Sequence, residues 1–179
     1  MTATNRIQAV AAPHMPPRIA ALPRHRGLPV PAMVQYDIHG VPDFKVIDMA
    51  KWTALVRSRG CGICGAKMGA RVWFVAGPKS IEARIFTDLP MHEDCAEFAL
   101  RTCPFLALPR FRYIQALVKV EGVQINVNEH VSTQRPDRFG LARSSGYRVV
   151  VIEGGSGIPM LQAAPFSEVQ WWREGQRVA

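Results

Sequence analysis

Two pairs of metal-ligand residues constrain the fold of this chain more than any other feature of its sequence. Cys61 and Cys64 stand in a CGICG motif, and His92 and Cys95 follow where the sequence predicts the start of a helix. Ligands three positions apart at a helix start can reach one metal ion. Thiolates with one imidazole suit zinc better than magnesium or calcium. The spacing therefore predicts a single zinc site with these four ligands.

The four cysteines admit other arrangements: two disulfides, a CxxC redox pair, or reduced thiols that bind no metal. The N-terminal residues do not form a secretory signal, so we expect the reducing cytoplasm, where disulfides are rare. A redox pair is typical of a βαβ context, which the sequence does not predict. Cys103 falls two turns after Cys95, about 12 Å along the helix axis, and is predicted to be a core residue. Reduced cysteines beside a surface histidine remain the alternative to zinc.

Local patterns predict the secondary structure around the ligands. Alternation indicates a hairpin over residues 34–47, and Asp48 is placed to cap a helix over residues 49–59. Strands at 71–76 and 81–86 are expected to form a hairpin around a turn at 77–80. The next helix follows His92 and ends before Pro104.

The C-terminal part is predicted to consist mainly of strands and loops. Strands are predicted at 122–128 and at 147–152, the second buried on both faces. A polar loop is predicted between them at 132–145, with Arg135, Arg138 and Arg143 exposed. A last strand or short helix is expected at 166–173, where Trp171 and Trp172 cap the core. The residues after Gly175 are expected to fray.

Residues 60–106 resemble a treble-clef zinc finger, because the CGICG turn (the zinc knuckle), the predicted hairpin and the predicted helix follow one another in that order. The resemblance implies an α+β fold, a small sheet plus helices built around the finger. Four protein ligands leave no open coordination position, so a structural zinc is expected. HNH nucleases share this scaffold, but they need a histidine base on the hairpin, and residues 66–91 contain no histidine. His130 could supply one only from outside the finger.

Residues 1–30 differ in composition from the rest of the chain. They are rich in proline and arginine and contain no acidic residue. Proline disfavours the interior of helices and sheets alike, so we expect an extended or disordered basic arm. One zinc-containing domain over residues 31–179 is expected to follow. An organelle transit peptide is the alternative, although the prolines disfavour the amphipathic helix that such a signal needs.

The formal net charge of +8 favours a polyanionic partner, most often nucleic acid. Aromatic residues stand among the cations between residues 105 and 120, and aromatic rings can stack on bases. The same cations could equally form the solvated face of packed elements. The predicted nucleic-acid-binding residues are Arg101, Arg110, Arg112, Lys119, Arg135, Arg138 and Arg143.

Four segments together resemble a family of small proteins from bacteria and their phages: PDFKV at 42–46, CGICG at 61–65, HEDCAEFALRTCPFL at 92–106 and VQWWREGQ at 169–176. The resemblance implies zinc binding and a cytoplasmic setting. It also keeps open a second class, a phage-type protein that binds a host protein and inhibits host defence or takes over the host. No apolar run is long enough for a membrane span. We therefore expect a non-enzymatic, zinc-stabilised module that binds nucleic acid. A module that binds a host protein is the alternative, and a metal-dependent nuclease is the third reading.

Overall fold

The computed structural model describes residues 14–108, 135–151 and 157–179. The predicted strand at 122–128, His130 and three of the predicted nucleic-acid-binding residues, Arg110, Arg112 and Lys119, lie outside the described residues. Within the described ranges, every helix is too short or too polar to traverse a bilayer.

The described residues form an α+β structure of short helices and antiparallel strands. The helices are α1 (Pro17–Ala20), α2 (Met49–Ser58), α3 (Pro78–Ala83), α4 (Glu93–Thr102) and α5 (Pro104–Ala107). The strands are β1 (Arg24–His25), β2 (Leu28–Pro29), β3 (Val34–Tyr36), β4 (Pro42–Ile47), β5 (Val72–Ala76), β6 (Ile85–Phe86), β7 (Phe139–Ser144), β8 (Tyr147–Val151), β9 (Pro159–Ala163), β10 (Phe166–Arg173) and β11 (Gln176–Val178).

The hairpin and the first long helix form as their local residues predict. β3 pairs with β4, and the Asp48 side chain accepts hydrogen bonds from the first turn of α2. The residue with left-handed backbone at the end of α2 is Arg59, not Gly60. Gly60 is required for another reason: a Cβ there would lie 2.5 Å from the Leu55 side chain and 3.0 Å from the Gly65 carbonyl.

A four-stranded antiparallel sheet in the order β11-β10-β7-β5 carries much of the core. Its strand β7 lies in the segment that the sequence analysis assigned to a loop, and this prediction is wrong. Phe139, Leu141 and Ala142 are all buried, so both faces of this strand are covered, which outweighs the polar residues that flank it. The expected fraying after Gly175 is also wrong, because β11 pairs with β10 through three residue pairs.

A three-stranded sheet, β6-β9-β8, faces the first, and Phe74 of β5 stacks on Phe86 of β6 at 4.4 Å between ring centroids. β6 pairs with β9 rather than with β5, so the predicted hairpin at 71–86 is wrong. The expected turn is part of α3, because a proline is well placed at the start of a helix. Among the described strands β8 lies at the edge of its sheet, and Val149 and Val151 are exposed, so its predicted burial on both faces is wrong.

The described part of the N-terminal segment packs on the rest of the chain. Ile19 of α1 is fully buried in the main core, and Val30 is buried after the small β1–β2 pair. The expectation of an extended segment is therefore wrong over residues 17–20, where Pro17 stands at the start of a helix and so costs no hydrogen bond. The domain boundary at residue 30 stays a prediction.

Candidate metal centre

A tight backbone ribbon places the first ligand pair. Gly60 and Lys67 form an antiparallel bridge, and the Cys61 N–H donates to the Ala66 carbonyl at 2.9 Å. The turn between them closes with a 2.8 Å bond from the Gly65 N–H to the Cys61 carbonyl. Gly65 has a φ of +75°, a conformation that favours glycine. The ribbon thus turns both cysteine side chains toward one point.

The first turn of α4 places the second pair. His92 stands immediately before α4, and the Ala96 N–H donates to its carbonyl at 2.9 Å. Met91 exchanges two backbone hydrogen bonds with Trp73 of β5, at 2.8 and 3.0 Å. The Gly62 N–H donates to the Pro90 carbonyl at 3.0 Å, which ties the ribbon directly to the residues before the helix. These backbone hydrogen bonds therefore bring the two ligand pairs next to each other.

The ligand atoms of Cys61, Cys64, His92 and Cys95 all lie within 4.8 Å of one another. His92 Nδ1 lies 3.5 Å from Cys64 Sγ and 3.9 Å from Cys95 Sγ. In a regular zinc tetrahedron with bonds of about 2.3 Å to sulfur and about 2.05 Å to nitrogen, the S···N distance is about 3.6 Å. The four residues therefore fit a bound tetrahedral ion.

A backbone carbonyl fixes the orientation of the histidine ring. His92 Nε2 lies 3.3 Å from the Lys67 carbonyl, which can only accept a hydrogen bond. The Nε2 proton therefore belongs to this contact, and Nδ1 presents its lone pair to the thiols. Metal-bound histidines characteristically use their second ring nitrogen in this way.

The three thiols perturb each other strongly. The Cys95 thiol donates a hydrogen bond that lowers the pKa of Cys61 to about 5, although burial opposes this shift. The same contact, together with burial, raises the pKa of Cys95, and burial followed by the charge of Cys61 raises the pKa of Cys64. In the absence of a cation, the cluster thus stabilises one thiolate and disfavours the other two. A bound divalent ion would instead stabilise all three cysteines as thiolates.

The fourth cysteine stands apart from the cluster. Cys103 ends α4, and its side chain is half-buried; burial raises the pKa of its thiol. It is not among the residues whose ligand atoms converge, as the spacing along the helix predicts. All four cysteines are free thiols.

Two of the predicted nucleic-acid-binding residues lie near the end of α4 and α5. Arg101 forms an ion pair with Glu97 at 3.0 Å, and its guanidinium lies 5.2 Å from the Trp172 ring. Arg135 donates to the carbonyls of Phe105 and Leu106 at 2.8 and 3.2 Å. Both guanidinium groups thus hold parts of the chain together.

The other two described residues of this set lie next to and within β7. The Arg138 guanidinium lies 4.4 Å from the Trp171 ring, and Arg143 donates to Ser167 Oγ at 2.9 Å. The expected exposed positions are wrong for Arg135, Arg138 and Arg143, which are all half-buried. Their contribution to nucleic-acid binding stays a prediction.

Sequence reasoning identified the four converging residues but missed the contacts that support them. The Lys67 carbonyl and the Trp73–Met91 bridge act through the backbone, so no residue type signals them. The only sequence signal for the Trp73–Met91 bridge is that Met91 stands immediately before the His92–Cys95 ligand pair.

Comparison with models of known protein families, with curated proteins and with solved structures finds no match. The resemblances to the treble-clef finger and to small bacterial and phage proteins therefore stay predictions.

Proposed function

We propose that the cluster holds a structural zinc ion and that this chain is a non-enzymatic binding module whose partner is nucleic acid. The observation that supports the zinc is the convergence of four soft and borderline ligand atoms within 4.8 Å, with Cys61 and Cys95 fully buried. Imidazole and thiolate ligands in this number are typical of structural zinc.

The metal would act by joining two separate parts of the chain. It would connect the ribbon at residues 60–67 to the first turn of α4, beside the Trp73–Met91 bridge. We propose a treble-clef finger here, and the chain order of ribbon, β5 and α4 supports it, although α3 and β6 stand between β5 and α4. Because four protein ligands complete the tetrahedron, no position remains for a substrate, and the zinc has no catalytic role.

Nucleic acid is the proposed partner because the net charge of +8 favours phosphate binding. The test is a salt-titrated binding assay of the zinc-loaded protein with duplex DNA, single-stranded DNA and RNA. We expect binding to at least one of these ligands that weakens steeply as salt rises, and that weakens further after a chelator removes the zinc. Absence of binding at moderate salt, or binding insensitive to salt, would contradict the proposal.

Binding to a host protein is the second candidate, and one observation favours it. The β3–β4 hairpin exposes several apolar side chains, with Ile38 95% exposed and Phe44 43% exposed. Clustered exposed apolar residues are typical of protein-binding sites. A pull-down that yields one stoichiometric protein, and that fails for the Ile38→Asp, Phe44→Asp double variant, would support this candidate over nucleic acid.

A further inference from the structure

Four exposed cations surround the first ligand pair. We call residues 57–71 the basic ribbon; this segment contains the ribbon at residues 60–67 and begins in the last turn of α2. It carries Arg57, Arg59, Lys67 and Arg71, which are all exposed. The sequence contains no acidic residue from 49 to 81. Among the described residues, no carboxylate lies within ion-pair distance of any of these four side chains. Within the described part of the chain, no ion pair therefore compensates their charge.

The backbone of the basic ribbon is fixed by the same contacts that build the metal centre. The Met68 N–H donates to the Arg59 carbonyl at 2.9 Å, and the Arg59 guanidinium reaches the Gly69 carbonyl at 3.4 Å. His92 Nε2 donates to the Lys67 carbonyl. The cations are thus carried on a segment with defined geometry rather than on a free loop, which lowers the entropy lost on binding.

The exposed residues between these cations along the chain are small, and within residues 57–71 the described structure exposes no large apolar side chain. Gly65, Ala66, Gly69 and Ala70 separate Arg59 from Arg71 along the chain, and a Cβ built on Gly69 would meet nothing within 4 Å. None of the large exposed apolar side chains lies between residues 50 and 107. Protein interfaces depend on buried aromatic and aliphatic anchors, whereas phosphate groups need cations and close access to the backbone.

We propose that the basic ribbon contacts the phosphate backbone of a nucleic acid. This inference rests on the proposed function and assigns it to residues outside the set that the sequence predicted. Arg101 and Arg135 are occupied by contacts within the chain, while Arg57, Lys67 and Arg71 have no such contact in the described structure. Contacts of this kind fix the position of the duplex or strand without reading its sequence.

The test compares two triple variants of the full-length, zinc-loaded protein. Arg57→Gln, Lys67→Gln, Arg71→Gln removes the three cations of the basic ribbon whose side chains make no contact within the described structure; the Lys67 change leaves its backbone carbonyl in place for His92. Lys45→Gln, Lys79→Gln, Arg177→Gln removes the same charge from exposed positions elsewhere. Zinc content and the thermal midpoint Tm are measured on both to establish that each variant is folded.

Binding to duplex DNA is then titrated with salt. Log K falls as log salt rises, and each lost phosphate contact reduces the magnitude of this negative slope by about 0.9, so the slope of the ribbon variant should be about 2.7 less steep. The matched control should keep the wild-type slope to within about 0.9, one phosphate contact. Equal losses in the two variants would reduce the effect to net charge and overturn the inference.

Two further outcomes separate this inference from the proposed function. If the wild type binds and only Arg101→Gln, Arg138→Gln, Arg143→Gln abolishes binding, the function stands and the basic ribbon is contradicted. If the zinc-loaded wild type binds no nucleic acid, both fail. Polyglutamate of matched length is the comparison ligand, and tighter binding to it than to DNA would overturn phosphate recognition in favour of an acidic protein surface.

Discussion

His92 meets two demands at the point where the chain enters α4. It occupies the N-cap position, where serine, threonine, aspartate or asparagine would normally accept a hydrogen bond from the helix. Its side chain makes no such bond; Nδ1 faces Cys64 and Cys95, and Nε2 contacts the Lys67 carbonyl. A residue that departs from the local preference of its element is typical of a functional site.

Substitutions of His92 test whether its imidazole ring is a metal ligand. Loss of a residue that only hydrogen-bonds to a metal ligand weakens metal binding by about 10–100-fold. We expect His92→Ala to weaken zinc binding by more than this, because it removes a direct ligand. His92→Cys should retain zinc, since a Cys₄ set also closes a tetrahedron. Competition with a chromophoric chelator measures both affinities. Unchanged zinc affinity in His92→Ala would show that the ring is not a ligand.

At the scale of elements, the helix α3 packs closely on the central strand β7. A Cβ on Gly140 would lie 2.7 Å from Ile81 Cγ1 and 3.3 Å from the Trp171 ring. Gly140→Ala should therefore destabilise the protein by about 1–3 kcal/mol through overpacking. Gly146→Ala is the matched control, because its Cβ would meet nothing within 4 Å. Urea denaturation measures the free energy of unfolding, and equal values for the two variants would refute this packing.

The cap of α2 offers a second test at this scale. Asp48 accepts from the Ala50 and Lys51 N–H groups at 2.9 and 3.0 Å. Asp48→Ala should cost about 1 kcal/mol in the free energy of unfolding, and Asp48→Asn should cost less because the acceptor remains. Equal losses in both variants, measured by urea denaturation, would exclude the cap as the cause.

The elements that the sequence predicted well are those specified by neighbouring residues. α2 has its cap and its apolar face within eleven positions, and each ligand pair is defined within four. The failures concern partners far apart in sequence: β6 pairs with β9, and β7 lies between β5 and β10. The valines of β8 suggested burial, but whether a strand lies at an edge depends on the assembled sheet.

At the scale of the whole molecule, a bound metal would couple protonation to folding. The pKa of Cys61 is lowered to about 5, so its thiol is already ionised near neutral pH, while the raised pKa values of Cys64 and Cys95 keep their protons bound. Zinc binding must release both of these protons. Zinc affinity should therefore fall by about 100-fold per unit as pH decreases from about 8 to about 7.

Chelator competition at several pH values measures this dependence. A slope of two protons is expected, and replacing Cys103, which lies outside the cluster, by serine should leave the slope unchanged. A pH-independent affinity would mean that the thiols do not exchange protons for metal.

The most direct test of the metal centre is the zinc content of the purified protein, measured together with its thermal unfolding. We expect one zinc per chain in the wild type and in Cys103→Ser. Cys64→Ser should lose the metal and unfold at lower temperature over residues 61–103, because binding and folding are linked there. A folded Cys64→Ser protein with an unchanged melting curve, or a stable wild type without metal, would contradict the account.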